Sequence, residues 1–294
     1  ENLTEAEANP KYKFVKGDIC NAKVVDKVVS GVETIVHFAA ESHVDRSILG
    51  PGVFVKTNIL GTQVLLDMAV KYKVSRFHFV STDEVFGSLS LGSKKKFTEF
   101  TNYDPHSPYS ASKAAADHLV RAYYHTYSLP VTITNCSNNF GPYQDPEKLL
   151  PRAITNLIDD VAVPVYGDGK YVRDWLYVED HCRAIELVIK KGKIGETYLI
   201  GGMTKEVPNI EIVRKLLQLF NKDDSYIKFV KDRQGHDRKY SVNWGKIKRD
   251  LDWKPQYSFD KWLQKTVDWY KNNEWWWRPL KKEAEKLYAR TSQK

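Results

Sequence analysis

Arg76-Phe77-His78-Phe79-Val80 runs straight into Ser81-Thr82-Asp83-Glu84-Val85-Phe86-Gly87. The first five residues form a compact, mostly apolar run of strand length, and those that follow are small, polar and acidic. Two other segments repeat the pattern. Residues 34–38 (Thr-Ile-Val-His-Phe) lead into Ala39-Ala40-Glu41-Ser42-His43, and residues 131–134 (Val-Thr-Ile-Thr) lead into Asn135-Cys136-Ser137-Asn138-Asn139. Helical spacing of Val55, Ile59, Val64, Leu65 and Met68 predicts a helix over 53–72, and further helices are predicted over 22–30 and 110–127. A short strand is predicted over 12–16. Strands alternating with helices imply right-handed crossovers and an α/β, doubly wound parallel sheet covered on both faces. Ligands in such sheets sit beyond the carboxyl ends of the strands, where this chain places its small and polar groups. Past residue 141 or so the texture changes to loops rich in Pro, Gly and aromatics. The expected division is a sheet domain over 1–140, with later segments returning to it, and a smaller lobe, mainly 141–294, closing over the sheet edge.

The 294 residues, 42% hydrophobic and 28% charged, suffice for one large or two modest domains with a sizeable core. Lys and Arg outnumber Asp and Glu by 45 to 37, a net charge of +8. That excess is mild and scattered, so it suits an anionic small molecule at least as well as nucleic acid, and no nucleic-acid partner is expected. No apolar run approaches the ~18 residues of a membrane span. No signal-peptide pattern is seen, and no membrane partner is expected. Cys20, Cys136 and Cys182 lie far apart, without a C-x-x-C pair or a His at finger spacing. Neither a disulfide framework nor a zinc module fits, no metal is expected, and a reducing cytoplasm is the expected location.

Tyr109-x-x-x-Lys113 places a phenol and an ammonium on one helix face. An ammonium beside a phenol lowers its pKa and makes it a usable base; the bland alternative is an exposed helix pair. Ser110-x-x-Lys113 also matches an acylating S-x-x-K motif, but no K-T-G follows and the strand–helix alternation is wrong for that fold. Asp83 and Glu84, adjacent at a strand end, can supply one protonated and one ionised carboxyl, the pairing that elimination of water requires, or can form a solvated turn. His43 can cap a helix or bind phosphate. Arg173-Asp174 can hold a phosphate through the guanidinium fork or form a buried pair. The segment from Asp232 to Asp237 carries too many charges for a core, and Trp275-Trp276-Trp277 reads as a packing or assembly patch.

Together these motifs resemble the extended short-chain dehydrogenase/reductases, a Rossmann-like family, and within them the nucleotide-sugar 4,6-dehydratases, the dTDP-glucose type most of all. The resemblance runs from Gly17-Asp18-Ile19 and the segment His37 to Ser47 through Ser81 to Gly87 and Pro108 to Lys113. It continues through Asn135 to Tyr143, Tyr166 to Gly169 and Arg173 to Val178, and so covers nearly the whole chain. Thr82-Asp83-Glu84 is its most specific part, because related epimerases and decarboxylases share the Tyr109-x-x-x-Lys113 surroundings but generally lack the acidic pair.

The resemblance implies an NAD-dependent hydro-lyase of deoxysugar biosynthesis acting on a nucleotide-diphosphate glucose, with a UDP-glucose enzyme of the same mechanism as the alternative. In the implied roles Tyr109 takes the sugar 4-hydroxyl proton with Thr82 steadying that hydroxyl, Glu84 removes the C5 proton, and Asp83 protonates the departing 6-hydroxyl. NAD would be held by Asp18, Ile19, Phe38, Ala39, Ala40, Ser42, Thr57, Tyr109, Lys113 and Asn139. The nucleotide sugar would meet Ser42, Thr82, Asn138, Lys148, Leu149, Pro164, Tyr166, Arg173, Asn209, Arg233 and His236. A non-catalytic NAD-binding protein of the same fold would be expected to lose Tyr109 or Lys113, and both are present. Gln234 stands where the family has proline, and Lys239 where it has arginine. A homodimer is expected, with the helices over 53–72 and 110–127 pairing with their copies. The family pattern also opens with a strand, a glycine-rich turn for the pyrophosphate and a second strand, roughly forty residues that would fall ahead of Glu1. The expectation is either that this segment is present in the protein ahead of the residues given, or that the chain as written holds no NAD and does not turn over.

Overall fold

In the computed structural model, which describes residues 2–203 and 205–291, the opening run is a strand extended by two residues, Arg76–Thr82. Eight strands form among the described residues: β1 (Thr34–His37), β2 (Arg76–Thr82), β3 (Val131–Cys136), β4 (Asn138–Phe140), β5 (Val163–Tyr166), β6 (Trp175–Tyr177), β7 (Thr197–Ile200) and β8 (Ile227–Val230). One sheet has the order β1-β2-β3-β7, parallel throughout. Two small parallel pairs, β4 with β6 and β5 with β8, stand apart from it. The alternation of β2 explains its burial on both faces. Phe77 and Phe79 face one side and enter the core, while His78 faces the other and hydrogen-bonds Thr132 Oγ1 (2.9 Å) and Thr134 Oγ1 (3.2 Å) of β3. Burial holds the pKa of His78 down to about 3, so the ring is neutral.

The helix Pro108–Tyr127 begins two residues before the predicted start. Pro108 occupies the first turn, and Ser107 and Ser110 form a reciprocal capping box. The helix stops where Ser128 turns left-handed. The helical run Pro51–Lys71 contains a π-helical turn, Val55–Leu60, that periodicity did not reveal. Asn58 of that turn is buried and holds Glu41 through both backbone groups (N to Oδ1 2.8 Å, Nδ2 to O 3.0 Å) and Ser112 through its hydroxyl (2.8 Å). By length and composition alone Pro51–Lys71 could cross a membrane, which corrects the expectation that no run reaches that length. Its buried side carries Phe54, Leu66 and Ala69, while Val53, Val55 and Leu60 are exposed. The strand predicted over 12–16 does not form: no ladder partner lies beside it among the described residues, and Phe14 and Val15 are exposed.

The described residues form five apolar clusters, two of them much larger than the rest. One joins the main sheet to its flanking helices through Val25, Leu66, Phe77, Phe79, Val120 and Ile133. The other gathers Phe140, Ile154, Val165, Trp175, Leu216, Tyr270, Trp276 and Trp277 under the small strand pairs. Each fully buried side chain of this size contributes about 1.5–3 kcal/mol. Trp276 and Trp277 are buried and Trp275 is exposed, so two of the three adjacent tryptophans are packing residues.

Candidate active site

A cavity of about 420 Å³ lies where the carboxyl ends of β1, β2 and β3 meet the second core, a volume suited to a small-molecule site. Its sheet side is formed by Phe38, Ala40, Ser42, Ser81, Thr82, Glu84, Tyr109, Lys113 and Asn139. Its far side is formed by Lys148, Leu149, Arg152, Pro164, Tyr166, Arg173, Asn209, Arg233 and His236.

At the end of β2 the chain turns through a 3₁₀ turn, Asp83–Phe86, capped by Thr82, whose Oγ1 accepts from the Glu84 amide (3.3 Å). Gly87 ends the turn at φ +77°, and a Cβ there would lie 2.3 Å from the Asp104 carbonyl, so only glycine fits. Asp83 is buried, its Oδ2 has no protein partner, and burial followed by Glu84 and Asp174 pushes its pKa well above the ordinary carboxyl value. Burial also raises Glu84, against the pull of Arg233, Lys148 and Arg173. The acidic pair is therefore no solvated turn.

Tyr109 and Lys113 are both buried, which disposes of the exposed-pair alternative. The expected lowering of the phenol is not found. The Lys113 ammonium donates to the Val80 carbonyl (2.8 Å) and lies 4.0 Å from the centre of the Phe79 ring. Burial and the neighbouring Glu84 carry the Tyr109 pKa well above 10, with Thr82 opposing through a hydrogen bond. Burial lowers Lys113 to about 8.

Of the residues expected around a dinucleotide, Phe38, Ala40, Ser42, Tyr109, Lys113 and Asn139 line the cavity; Asp18, Ile19, Ala39 and Thr57 do not. Asp18 is exposed and accepts from the Cys20 amide (2.8 Å); Ile19 packs toward Gly61, and Thr57 sits in the π turn. All eleven residues expected around the sugar nucleotide line the cavity. Asn138 Oδ1, Asn209 Oδ1 and Arg233 Nε are buried there without a protein partner. Arg173 and Asp174 do not pair with each other. Arg173 donates to the carbonyls of Val172 (2.8 Å) and Asp237 (2.9 Å), and Asp174 accepts from the amides of Gly202, Met203 and Val242. His43 is a cap: its Nδ1 accepts from the Arg46 amide (3.4 Å), and burial holds the ring neutral with a pKa of about 3.

Over residues 1–266 the chain matches the family described as GDP-mannose 4,6 dehydratase. A dTDP-glucose 4,6-dehydratase of Xanthomonas campestris pv. campestris is 49% identical, the match covering 93% of this chain and 83% of that protein. The chain belongs to the dTDP-glucose 4,6-dehydratase family. A dTDP-glucose 4,6-dehydratase from Streptomyces venezuelae, crystallised with NAD bound, matches with a TM-score of 0.92 and 50% identity over 95% of this chain and 85% of that one. Another, from Bacillus anthracis in complex with NAD, matches at 0.87 and 48% over 95% and 86%.

Several residues in the cavity of this member of the dTDP-glucose 4,6-dehydratase family gave no sequence signal. His181 presents a buried Nε2 without a protein partner, its Nδ1 lying 3.0 Å from Asn139 Oδ1, and burial lowers its pKa to about 4. Arg152 stacks 3.3 Å from the centre of the Tyr288 ring, and Tyr288 donates to the Glu147 carbonyl. Asp45, which does lie in the His37 to Ser47 segment of the resemblance, faces Arg233 (3.5 Å). His181, Arg152 and Tyr288 stand in no local motif. Each reaches the cavity from a helix or loop whose neighbours serve packing.

Proposed function

We propose that this chain carries out the NAD-dependent dehydration of dTDP-glucose to the 4-keto-6-deoxy sugar. The observation that carries the reading is the buried Asp83–Glu84 pair at the end of β2: Glu84 lines the cavity with Thr82 and Tyr109, Asp83 lies next to it outside the lining, and burial raises both carboxyls, Asp83 well above the ordinary value and Glu84 against the pull of three cations. The named relatives supply the substrate.

The residues at the sheet ends fit the cofactor. Ser81 Oγ and Ser137 Oγ are buried polar atoms without protein partners, and Lys113 and Tyr109 stand beside them in the cavity wall. NAD, when bound, supplies hydride acceptance at C4 and hydride return to C6. Tyr109 Oη takes the 4-hydroxyl proton, a task that its raised pKa makes dependent on charge brought by the bound ligands. Lys113 positions the nicotinamide ribose. Once C4 is a ketone the C5 proton is acidic; Glu84 removes it, Asp83 gives its proton to the 6-hydroxyl, which leaves as water, and the proton held by Glu84 goes back to C5 as C6 is reduced. Lys148, Arg173 and Arg233 face the diphosphate, and Tyr166 and Asn209 the base and sugar.

In this reading the first 140 residues hold the dinucleotide and the remainder mainly holds the nucleotide sugar. The exposed Val53, Val55 and Leu60, with the helix Pro108–Tyr127, form the face of a homodimer. The three cysteines are free, in keeping with a reducing cytoplasm. The test is turnover by the full-length protein: dTDP-glucose is expected to give the 4-keto-6-deoxy product without net reduced cofactor. Recovery of only epimerised or decarboxylated sugar, or faster conversion of UDP-glucose, would overturn the assignment.

A further inference from the structure

The site also holds a connection outside the reacting groups. His106 stands three residues before Tyr109, immediately ahead of the Ser107 cap of the catalytic helix. Its Nδ1 lies 2.5 Å from Asp237 Oδ1, and its Nε2 lies 3.3 Å from Asp104 Oδ2. Asp237 is buried, and both of its carboxylate oxygens and its carbonyl are engaged. Its second carboxylate oxygen accepts from Tyr240 Oη (2.6 Å), and its carbonyl accepts from Arg173 Nη2 (2.9 Å). Tyr240 in turn lies under the Arg173 guanidinium, 4.3 Å from its ring centre. The backbone of the same loop presses on the same residue: a Cβ at Gly235, where φ is +61°, would come within 2.8 Å of the His106 carbonyl.

We propose that His106 is a positioning residue: protonated, it latches the loop that carries Arg233, His236 and Asp237 onto the start of the catalytic helix and so sets substrate affinity through Arg173 and Arg233. The inference rests on the reading that this loop holds the nucleotide sugar. The charged groups that face the ring among the described residues are Asp104 from its own segment and Asp237 from the loop. Partial burial pulls the imidazole pKa down, but Asp237 and then Asp104 outweigh it and carry the pKa above the ordinary histidine value. The latch is therefore closed below the ordinary histidine range and opens as pH rises through that raised value.

The test compares the full-length wild type with His106→Gln and His106→Lys, so that the buried Asp237, whose replacement could unfold the chain, stays in place. In the wild type, KM for dTDP-glucose is expected to climb as pH passes the His106 range, while kcat follows its own profile. His106→Gln is expected to raise KM about three- to tenfold on the acid side of the His106 range, remove that step and leave kcat within about twofold, as for a partly exposed charged hydrogen bond. His106→Lys, which keeps a cation, should restore the low KM and hold it to higher pH. Trypsin cleavage at Lys231, Arg233 or Arg238 gives a readout free of turnover, and His106→Gln should be cut faster. Unchanged KM, pH profile and cleavage, or a fall in kcat at constant KM, would overturn the latch. If the wild type does not convert dTDP-glucose, the functional reading fails, and the protease comparison alone decides the latch.

Discussion

At the level of single side chains, the chemistry turns on burial. Burial raises both Asp83 and Glu84, yet three cations, Arg233, Lys148 and Arg173, oppose the rise at Glu84, whereas Glu84 and Asp174 push Asp83 further up. Asp83→Asn is expected to cut turnover about 10²- to 10⁴-fold while leaving C4 oxidation intact, so reduced nicotinamide should accumulate in its absorbance band. The same substitution should stabilise the fold. A carboxyl whose folded pKa is raised contributes stability that is fully present below the ordinary carboxyl range and is lost as pH rises through the folded value. Asparagine does not ionise, so the melting temperature of the variant should exceed that of the wild type by an increasing margin from acid to neutral pH. An acidic pair at a strand end was legible in the sequence because Thr82-Asp83-Glu84 is contiguous. The state of Tyr109 was not, because it depends on where the Lys113 ammonium points, and that is settled by the Val80 carbonyl and the Phe79 ring.

The elements that carry these residues were readable where a period or a cap announces them. β1, β2 and β3 and the helix Pro108–Tyr127 follow from apolar runs and from the Ser107-Pro108 start. The π turn Val55–Leu60 was hidden, since one extra residue in a turn barely disturbs an apolar pattern, and residues 12–16 have strand composition but no neighbour to pair with. The turn Asp83–Phe86 depends on a single glycine. Gly87→Ala meets both the positive φ and the Asp104 carbonyl at 2.3 Å, so it is expected to cost about 1–3 kcal/mol in denaturant unfolding. Its turnover should fall further than that loss of stability explains, because the acidic pair moves with the turn. Activity at wild-type level in Gly87→Ala would show that the turn does not set the positions of Asp83 and Glu84.

For the molecule as a whole, the sheet and the place of the site at its strand ends could be read from alternation alone, whereas the closing of the cavity could not. Tyr288 arrives from the helix Glu274–Thr291, and Arg152 from the helix Leu149–Ile158, and no motif in the sequence points to either residue. The proposed dimer face is open to direct test. Val55→Glu combined with Leu60→Glu places two charges on the exposed side of Pro51–Lys71 and should give a monomer by light scattering at micromolar concentration; an unchanged dimer would move the interface elsewhere. The second core has one more consequence. All eight tryptophans of the chain lie at or after position 175, and the face of the main sheet that carries Phe77 and Phe79 packs against none. Intrinsic emission thus follows melting of the second core and, through Trp244 and Trp253 packed with Tyr198 and Ile200, of the β7 edge of the main sheet, leaves loosening of the Phe77 and Phe79 face dark, and, through Trp175 in the cavity wall, should dim or shift when that cavity fills.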